Sequence, residues 1–440
     1  MTPPTPISST RRPEVRRALG HYVVAAFRVL AESQAAGDEV PFAVDHVARR
    51  AGPVLYEYRR LYGSYVEAHR NDLVALPDHQ VALEVLGRDP AVLAWATEGA
   101  GAEHAAAAAL ETTILRPLLL GVAERAGGFE ADDLAIDAVI GELEQAVAAR
   151  HTTYTAFVPL VGLRIEAQEP VDLGAGISVR RSSVAELAVR WPESQGLLPE
   201  GFGERGDRCA ILDLLATVPR TSASVGPDAA RGCIRAVRAL RLACGGGVGS
   251  GPVLLERVDF APRSARPLPV AVSPTSAEPA VLDSPRAGLA RSLVIAIAEA
   301  EVAGSAIVSS ILPRYDDASS ALADDERTAL LLSTLDALLA PSGEGRFAAI
   351  LRASALVGST ASERERICRQ LRTFEVRDTH LALAASDVEL ARLADDVVRT
   401  AIAGALEQAL EPPALSAMLD GVLLGARPRP SSLAGLARTA

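Results

Sequence analysis

The hydrophobic pattern of the first 150 residues is helical. From about Pro13 to Arg150, Ala- and Leu-rich segments repeat with helical spacing between glycine and proline breaks. The segment from Asp132 to Arg150 is representative, because acidic residues fill its first turn and an arginine closes it, as the helix dipole favours. The pattern therefore predicts a set of packed helices.

Between residues 155 and 285 the pattern becomes that of strands. The segment 157–165 is strand-like, and Gly176–Arg180 alternates between apolar and polar residues with period two. The other predicted elements are a helix at Ser183–Arg190, a buried strand at Cys209–Val218, a helix at Asp228–Ala243, a strand at Val253–Phe260 and a loop at Pro262–Pro285. We interpret this region as a small β-containing module.

From residue 286 to about 425 the helical spacing returns. Leu331, Leu335 and Leu338 form one apolar face. Further helices are predicted at Arg346–Val357, Ser362–Arg377 and Asp387–Leu410. The last of these carries a wide apolar ridge from Val398 to Leu410, which needs neighbours on two sides, either within the chain or across a dimer.

These patterns predict an α+β chain that is mostly helical. Its predicted parts, in chain order, are a disordered tail (1–12), a helical N-terminal region (13–150), a β-containing middle module (155–285), a C-terminal helical bundle (286–425) and a flexible tail (426–440). Hydrophobic residues make up 49% of the 440 residues, enough to bury a sizeable core, and this excludes wholesale disorder.

Charge and composition narrow the classes of protein. The net charge of −11 argues against a broad electrostatic grip on nucleic acid or on an anionic membrane. All 44 basic residues are arginine, which excludes a P-loop lysine, a pyridoxal phosphate Schiff base and a kinase phosphate-binding lysine. No signal-peptide pattern is present. Glu299 and Glu301 interrupt the most apolar stretch, Leu293–Leu312, which we therefore interpret as a buried helix and not as a membrane span. We therefore expect a cytoplasmic protein with no membrane span and with reduced cysteines, since no C-x-x-C pair occurs.

Most motifs for metal-binding or covalent chemistry are missing from the sequence. The seven histidines form no H-x-x-x-H pair, so we expect neither a metal nor a cofactor. No G-x-S-x-G elbow occurs. The glycine-rich stretch Gly245–Gly251 follows a predicted helix and precedes a strand, the reverse of a phosphate-binding loop, so we interpret it as a connection. Acidic pairs such as Asp316-Asp317 are interpreted as helix caps.

A short N-terminal segment suggests a DNA-binding hypothesis. Val44–Gly52 resembles the first half of a bacterial repressor helix-turn-helix. The following Pro53–Arg60 lacks the usual short polar turn, and the local charge is close to balanced, so phosphate neutralisation would be weak. A DNA-binding regulator is therefore a third hypothesis, set against ordinary helical packing.

The most specific pattern lies in the C-terminal region. Asp336 lies in a Leu-rich helix, and a highly charged helix follows at 363–377. An aromatic residue, Phe374, precedes Arg377, and His380 comes soon afterwards. The order and separation of these residues resemble the Apea-like branch of the HEPN superfamily. The resemblance covers roughly residues 157 to 410, including the upstream strands.

This resemblance implies a metal-independent endoribonuclease of bacterial defence or toxin–antitoxin type. Arg377 would hold the RNA phosphate, His380 would move the 2′-hydroxyl proton, and Asp336 would orient Arg377 from a neighbouring helix. In this sequence His380 follows Arg377 by only three positions, where the family expects five or more. Residues three apart on a helix share a face, so the two side chains can still converge.

A second interpretation of the bundle stays open. In it the shortened motif is catalytically inactive, and the bundle is a scaffold that dimerises or holds a protein partner through an apolar patch along Val398–Leu410. A nuclease instead needs a positive cleft around Arg377. A homodimer is expected in both cases, because the apolar ridge is wide and because the family's clefts often lie between two protomers.

Overall fold

The computed structural model describes residues 12–47, 55–97, 106–182, 202, 209–219, 225–245, 247–257, 260, 266–268, 279–321, 324–376 and 385–428. Within these residues the chain is mostly helical with a small antiparallel sheet, which confirms the predicted α+β class. The predicted helix Ser183–Arg190 and both predicted tails, apart from Arg12 and residues 426–428, lie outside them.

The N-terminal helices surround a core of their own. They are α1 (Pro13–Ala35), α2 (Tyr62–Ala68), α3 (Arg70–Val74), α4 (Pro77–Arg88), α5 (Pro90–Thr97), α6 (Ala106–Leu110), α7 (Arg116–Ala126) and α8 (Asp133–Ala148). A π-helical turn, Glu111–Leu115, joins α6 to α7. Asp132 caps α8 by accepting a hydrogen bond from the Leu134 N–H, as the acidic first turn predicted. Phe27 and Trp95 lie in this core.

Both interpretations of Val44–Arg60, the resemblance to a helix-turn-helix and ordinary helical packing, are wrong for the described residues of this segment. Residues Phe42–Val47 form strand β1 and residues Leu55–Arg60 form strand β2, and the two strands pair antiparallel with His46 opposite Tyr56. Both segments are rich in aromatic and β-branched residues, which favour strands over helices. Residues 42–47 and 55–60, the described part of this segment, contain no helix, and the DNA-binding hypothesis loses that support.

The middle region forms a seven-stranded sheet with the order β10-β9-β3-β7-β6-β5, and β8 also pairs with β3. Its strands are β3 (His151–Val161), β5 (Val171–Gly174), β6 (Ile177–Arg181), β7 (Cys209–Pro219), β8 (Gly249–Ser250), β9 (Val253–Arg257) and β10 (Arg266–Leu268). Two further strands, β4 (Leu163–Ile165) and β11 (Ala280–Leu282), form a separate two-stranded sheet. Gly176 turns the chain between β5 and β6 at φ +76°, where a Cβ would lie 2.6 Å from the Leu215 carbonyl oxygen. The strands predicted around 157–165, 176–180 and 209–218 are confirmed.

The loop predicted at Pro262–Pro285 is wrong in part. β10 pairs with β9, and β11 pairs in parallel with β4. The next helix, α10 (Ser284–Ala303), begins inside the predicted loop, because the Asp283 side chain accepts a hydrogen bond from the Arg286 N–H and caps it. Short strands at sheet edges carry little periodic signal, and pairing partners distant in sequence decide them.

The C-terminal helices share one hydrophobic core with the sheet. They are α9 (Val225–Cys244), α10, α11 (Leu312–Ser320, preceded by a π-helical turn at Ile307–Ile311), α12 (Asp324–Leu339), α13 (Arg346–Val357), α14 (Ala361–Val376), α15 (Ala385–Glu407) and α16 (Pro412–Leu423). A single cluster runs from Ala156 in β3 to Leu419 in α16. The predicted boundary near residue 285 therefore does not separate two cores.

The apolar ridge of α15 is covered within the chain. Val398, Ala401 and Ile402 are fully buried, and Leu406 is 6% exposed. α15 packs against α12, α10, α13 and α9, which supply the neighbours that the ridge needs. The ridge therefore gives no support to a dimer, and the apolar patch expected of a scaffold is not on the surface here.

One helical stretch of the described residues, Ala106–Ala126, is long and apolar enough to cross a membrane. Buried residues make up 56% of its most apolar window, as in the core helix of a protein without a membrane span. The pair Ser284–Ala303 and Ile307–Ser320 passes the same test only together, and it is bent by 105°. The stretch predicted to be one apolar helix around residues 293–312 is therefore two helices meeting at Gly304.

Candidate functional site

Asp336 lies on α12, close to the C-terminal end of the helix. Its Oδ2 accepts two hydrogen bonds from Arg346, at 3.0 Å from Nε and 2.8 Å from Nη2. Its Oδ1 is shielded from solvent and has no hydrogen-bond partner among the described residues. A buried carboxylate oxygen without a donor is costly, so Oδ1 is an acceptor in place for a further cationic or hydroxyl group.

The packing of α13 against α14 places the C-terminal end of α14 close to Asp336 and Arg346. The helices pack antiparallel across the turn Gly358–Thr360, so the end of α14 returns to the start of α13. The guanidinium of Arg372, in the last turns of α14, lies over the Phe347 ring with its Cζ 5.4 Å from the ring centroid. Phe347 directly follows Arg346, the partner of Asp336.

Arg377 and His380 lie outside the described residues. The described part of α14 ends at Val376, one residue before Arg377, at the same end of the bundle as Asp336 and Arg346. Asp336 is predicted to orient Arg377, whereas its hydrogen-bond partner among the described residues is Arg346. We refer to Asp336, Arg346, Phe347 and Arg372 as the α14-end cluster.

Further arginines extend the positive charge along α14. Arg366, Arg369 and Arg372 are exposed at spacings that place them along one side of the helix. Arg369 pairs with Glu365 at 2.7 Å, and Arg366 donates to Gln370 at 3.0 Å. Such surface contacts are weak, so these guanidinium groups can exchange their present partners for phosphate oxygens.

A buried arginine anchors the same end of the bundle. Arg352 on α13 is 6% exposed, and it binds both carboxylate oxygens of Asp420 at 2.7 Å and the Leu339 carbonyl oxygen at 2.7 Å. It also contacts Glu344. The hydrogen bonds that Arg352 donates to Asp420 and Glu344 raise the pKa of Arg352 and lower the pKa of both acids. Arg352 thereby ties the end of α12, and with it Asp336, to α13 and α16.

A second charged network lies deeper, beside the glycine-rich stretch. Asp316 on α11 binds Arg238 at 2.7 Å and Arg241 at 3.0 Å, both on α9. The expectation that Asp316 caps a helix is wrong, because it lies in the middle of α11 and pairs across to α9. Arg241 also donates to the Val248 carbonyl oxygen at 3.0 Å and so holds the glycine-rich stretch Gly245–Gly251 against α9.

The helix α15 completes this network. Arg399 donates to Asp395 at 3.2 Å and to the Leu242 carbonyl oxygen at 3.1 Å. Burial opposes the charge of Arg399, but Asp395, Tyr315 and Asp396 hold its pKa above the ordinary value. Tyr315 is fully buried, donates to Asp395 at 3.2 Å, and has a raised pKa because of its burial. The arginines and aspartates of this network are paired with one another, so we interpret it as a structural connection that holds α9, α11 and α15 together.

The glycine-rich stretch keeps the order that the sequence predicted. α9 leads into it, β8 lies within it and β9 follows it, so it lacks the strand-then-helix geometry of a phosphate-binding loop. Among the described residues, no group of three or more His, Cys, Asp or Glu side chains could hold a metal ion. The cysteines with described side chains, Cys233, Cys244 and Cys368, are free thiols.

Sequence reasoning missed Arg346, Phe347 and Arg372 as members of the candidate site. No motif connects Asp336 to Arg346, because the turn 340–345 between them determines whether their side chains meet. The spacing of Arg372 from Phe347 becomes informative only once α13 and α14 are known to pack antiparallel. Comparison of this chain with protein-family models, with curated proteins and with solved structures found no match.

Proposed function

We propose that the chain is a metal-independent endoribonuclease whose active site lies at the α14-end cluster. The observation that carries the proposal is the antiparallel packing of α13 and α14, which leads the chain to within one residue of Arg377 beside Asp336 and Arg346. The motif residues extend over 44 positions, from Asp336 to His380, and the described part of the chain that precedes Arg377 ends at the same end of the bundle as Asp336.

The proposed chemistry uses the nucleophile that RNA itself carries. His380 takes the proton of a 2′-hydroxyl, and the 2′-oxygen attacks the adjacent phosphorus. The bond from phosphorus to the 5′-oxygen breaks, that oxygen receives the proton that His380 took, and a 2′,3′-cyclic phosphate remains. Arg377 holds the non-bridging oxygens, where negative charge builds up.

The residues of the α14-end cluster support the proposed roles of Arg377 and His380. Asp336 offers its unpartnered Oδ1 to Arg377, while Arg346 neutralises its other oxygen. Arg366, Arg369 and Arg372 line the approach along α14 and compensate locally for the net charge of −11. No observation on the described residues favours the scaffold interpretation, since its apolar patch is buried.

The experiment is cleavage of a mixed RNA pool in EDTA by the wild type and by Arg377→Ala and His380→Ala. We expect the wild type to cut and each variant to be at least about 100-fold slower, the usual contribution of a general acid–base group. The products are expected to carry 2′,3′-cyclic phosphate ends, read by mass spectrometry.

Arg17→Ala and His21→Ala are the matched controls, because both residues are exposed on α1, outside the core of the bundle. They should cut like the wild type. A folded wild type that cuts no RNA, or cutting that neither Arg377→Ala nor His380→Ala slows, would disprove the proposal.

A further inference from the structure

A cavity of about 280 Å³ opens among the N-terminal helices, in the core that the nuclease proposal does not use. It is enclosed by α1, α2, α3, α4, the π-helical turn and α7. Its volume lies just below the range of about 300–1,000 Å³ typical of small-molecule pockets. The cavity is therefore large enough for a compact organic ligand.

His79 on α4 lines this cavity, and its two ring nitrogens have no hydrogen-bond partner in the part of the chain that the structure describes. The residue is 2% exposed, and neither Nδ1 nor Nε2 has a hydrogen-bond partner among the described residues. Buried polar atoms in folded proteins are nearly always hydrogen-bonded, to protein or to another molecule. Its only ring contact among these residues is with Tyr22, edge to face, with 5.6 Å between ring centroids.

Burial keeps the imidazole uncharged. It lowers the pKa of His79, an effect that the nearby Glu111 opposes only in part. A neutral imidazole carries one N–H donor and one acceptor nitrogen. Burial likewise raises the pKa of Tyr22, which stays a neutral phenol. The inner wall of the cavity therefore offers donors and acceptors without charge.

The charged residues of the cavity neutralise one another. Arg70 Nε lies 3.1 Å from Glu111 Oε1, and Arg116 Nη1 lies 3.1 Å from Glu67 Oε2. Arg70 also approaches Glu67 at 3.9 Å, so the four side chains form a continuous chain of two cations and two anions. An ionic ligand would have to break these pairs, whereas an uncharged ligand leaves them in place.

The π-helical turn is a second feature of the same wall. It contains Glu111 and Thr112, both of which line the cavity. Thr112 Oγ1 donates to the Ala108 carbonyl oxygen at 2.8 Å, which satisfies a backbone group in the widened turn. Single π-helical turns inserted in α-helices are rare and frequently occur at functional sites.

We propose that this cavity is a binding site for a small uncharged ring compound that carries both a hydrogen-bond donor and an acceptor, as nucleobases do. The polar edge of the ligand pairs with His79, and its flat body packs against Tyr22 and the apolar wall formed by Leu73 and Leu119. The chain of ion pairs stays intact and borders the bound ligand. This site is independent of the α14-end cluster, because it belongs to the other hydrophobic core.

The test is calorimetric titration of the full chain with uracil and adenine, with toluene and benzoate as comparison probes. Uracil and adenine carry both donors and acceptors, toluene carries neither, and benzoate is an anion. We expect saturable binding of at least one nucleobase, at least tenfold tighter than toluene and benzoate. Equal or tighter binding of toluene or benzoate, or no binding of either nucleobase, would overturn the proposal.

Two substitutions test the role of His79. His79→Phe keeps a ring and removes both nitrogens, and we expect it to weaken nucleobase binding at least tenfold without lowering the melting temperature. His79→Gln keeps a donor and an acceptor and should bind within a few-fold of the wild type. His21→Phe on the exposed side of α1 is the control. Unchanged binding in a folded His79→Phe would refute the assignment, whatever the outcome of the RNA cleavage experiment.

Discussion

Asp420 and Glu344 share the guanidinium of Arg352, a residue that is almost fully buried. A buried charge is costly unless oppositely charged groups pair with it, so removal of one partner leaves another buried charge unpaired. Arg352, on α13, binds the end of α12 through the Leu339 carbonyl oxygen and α16 through Asp420. Its partners therefore matter to the position of Asp336 as well as to stability.

The bond to Arg352 makes part of the stability depend on pH. Its hydrogen bond lowers the pKa of Asp420 below the unfolded value, so the contribution is fully present above about pH 4 and is lost as the pH falls through the lowered folded pKa. We expect Asp420→Asn to lower the free energy of unfolding by about 1 kcal/mol at pH 7, a value reduced by solvent screening. The difference from wild type should shrink as the pH falls below 4.

Urea unfolding from pH 7 down to pH 3 provides this measurement. Glu365→Gln is the matched control. Glu365 and Arg369 both lie on α14, next to α13, and form an exposed i, i+4 ion pair. Its effect at pH 7 should be about 0.5 kcal/mol or less. A difference for Asp420→Asn that stays constant over the whole range would contradict the assignment.

The α13–α14 hairpin is the element that locates the candidate site. Its turn at Gly358 is tight, since a Cβ there would lie 2.8 Å from the Arg364 backbone nitrogen and 2.9 Å from its Cα. Arg364 also donates to the Gly358 carbonyl oxygen at 3.1 Å, which closes the turn. Small changes here shift the far end of α14, where Arg377 follows.

We expect Gly358→Ala to destabilise the protein by about 1–3 kcal/mol, because backbone atoms of Arg364 must move to admit the methyl group. Gly288→Ala is the control, since this exposed glycine in α10 has nothing within 4 Å of an added Cβ. It should stabilise the helix by about 0.5–1 kcal/mol. Urea unfolding of both variants checks the opposite signs, and equal effects would show that the turn is not closely packed.

At the scale of the whole molecule, an aromatic contact brings a residue of the middle region into the N-terminal core. Phe260 follows β9 of the sheet but lies in the N-terminal core, where its ring packs edge to face on Trp95 with 5.8 Å between centroids. It is 3% exposed. The sheet and the C-terminal helices form the other core. The N-terminal helices thus depend on a residue from the middle of the chain.

We expect Phe260→Ala to destabilise the N-terminal helices by about 3 kcal/mol, since it empties the space that a buried phenyl ring fills. Amide hydrogen exchange should show faster exchange in α1, α5 and α8, with β3 and β7 unchanged. Phe42→Ala is the control, because Phe42 is 51% exposed, and it should leave both regions protected. Equal loss of protection in the sheet would mean that the two cores unfold as one.

Much of the fold followed from the order of the residues. Helical spacing placed α8, α9 and α13 to within a few residues, and alternation placed β6, because these patterns record which face of an element is buried. The sequence was misleading at Val44–Arg60, where we expected helices although aromatic and β-branched residues favour the strands β1 and β2. Likewise, Asp316 carries no local sign that its partners lie on α9.

The sequence by itself determined the α+β class, most element positions and the absence of lysine chemistry, and the proposal for Asp336, Arg377 and His380 comes from it. Only the tertiary structure decided that the ridge of α15 is buried within the chain and that Asp336 meets Arg346. It also decided that His79 lines a cavity without a hydrogen-bond partner among the described residues. The physical reason is that periodicity reports which side of an element is apolar, whereas partners distant in the chain are set by how elements pack.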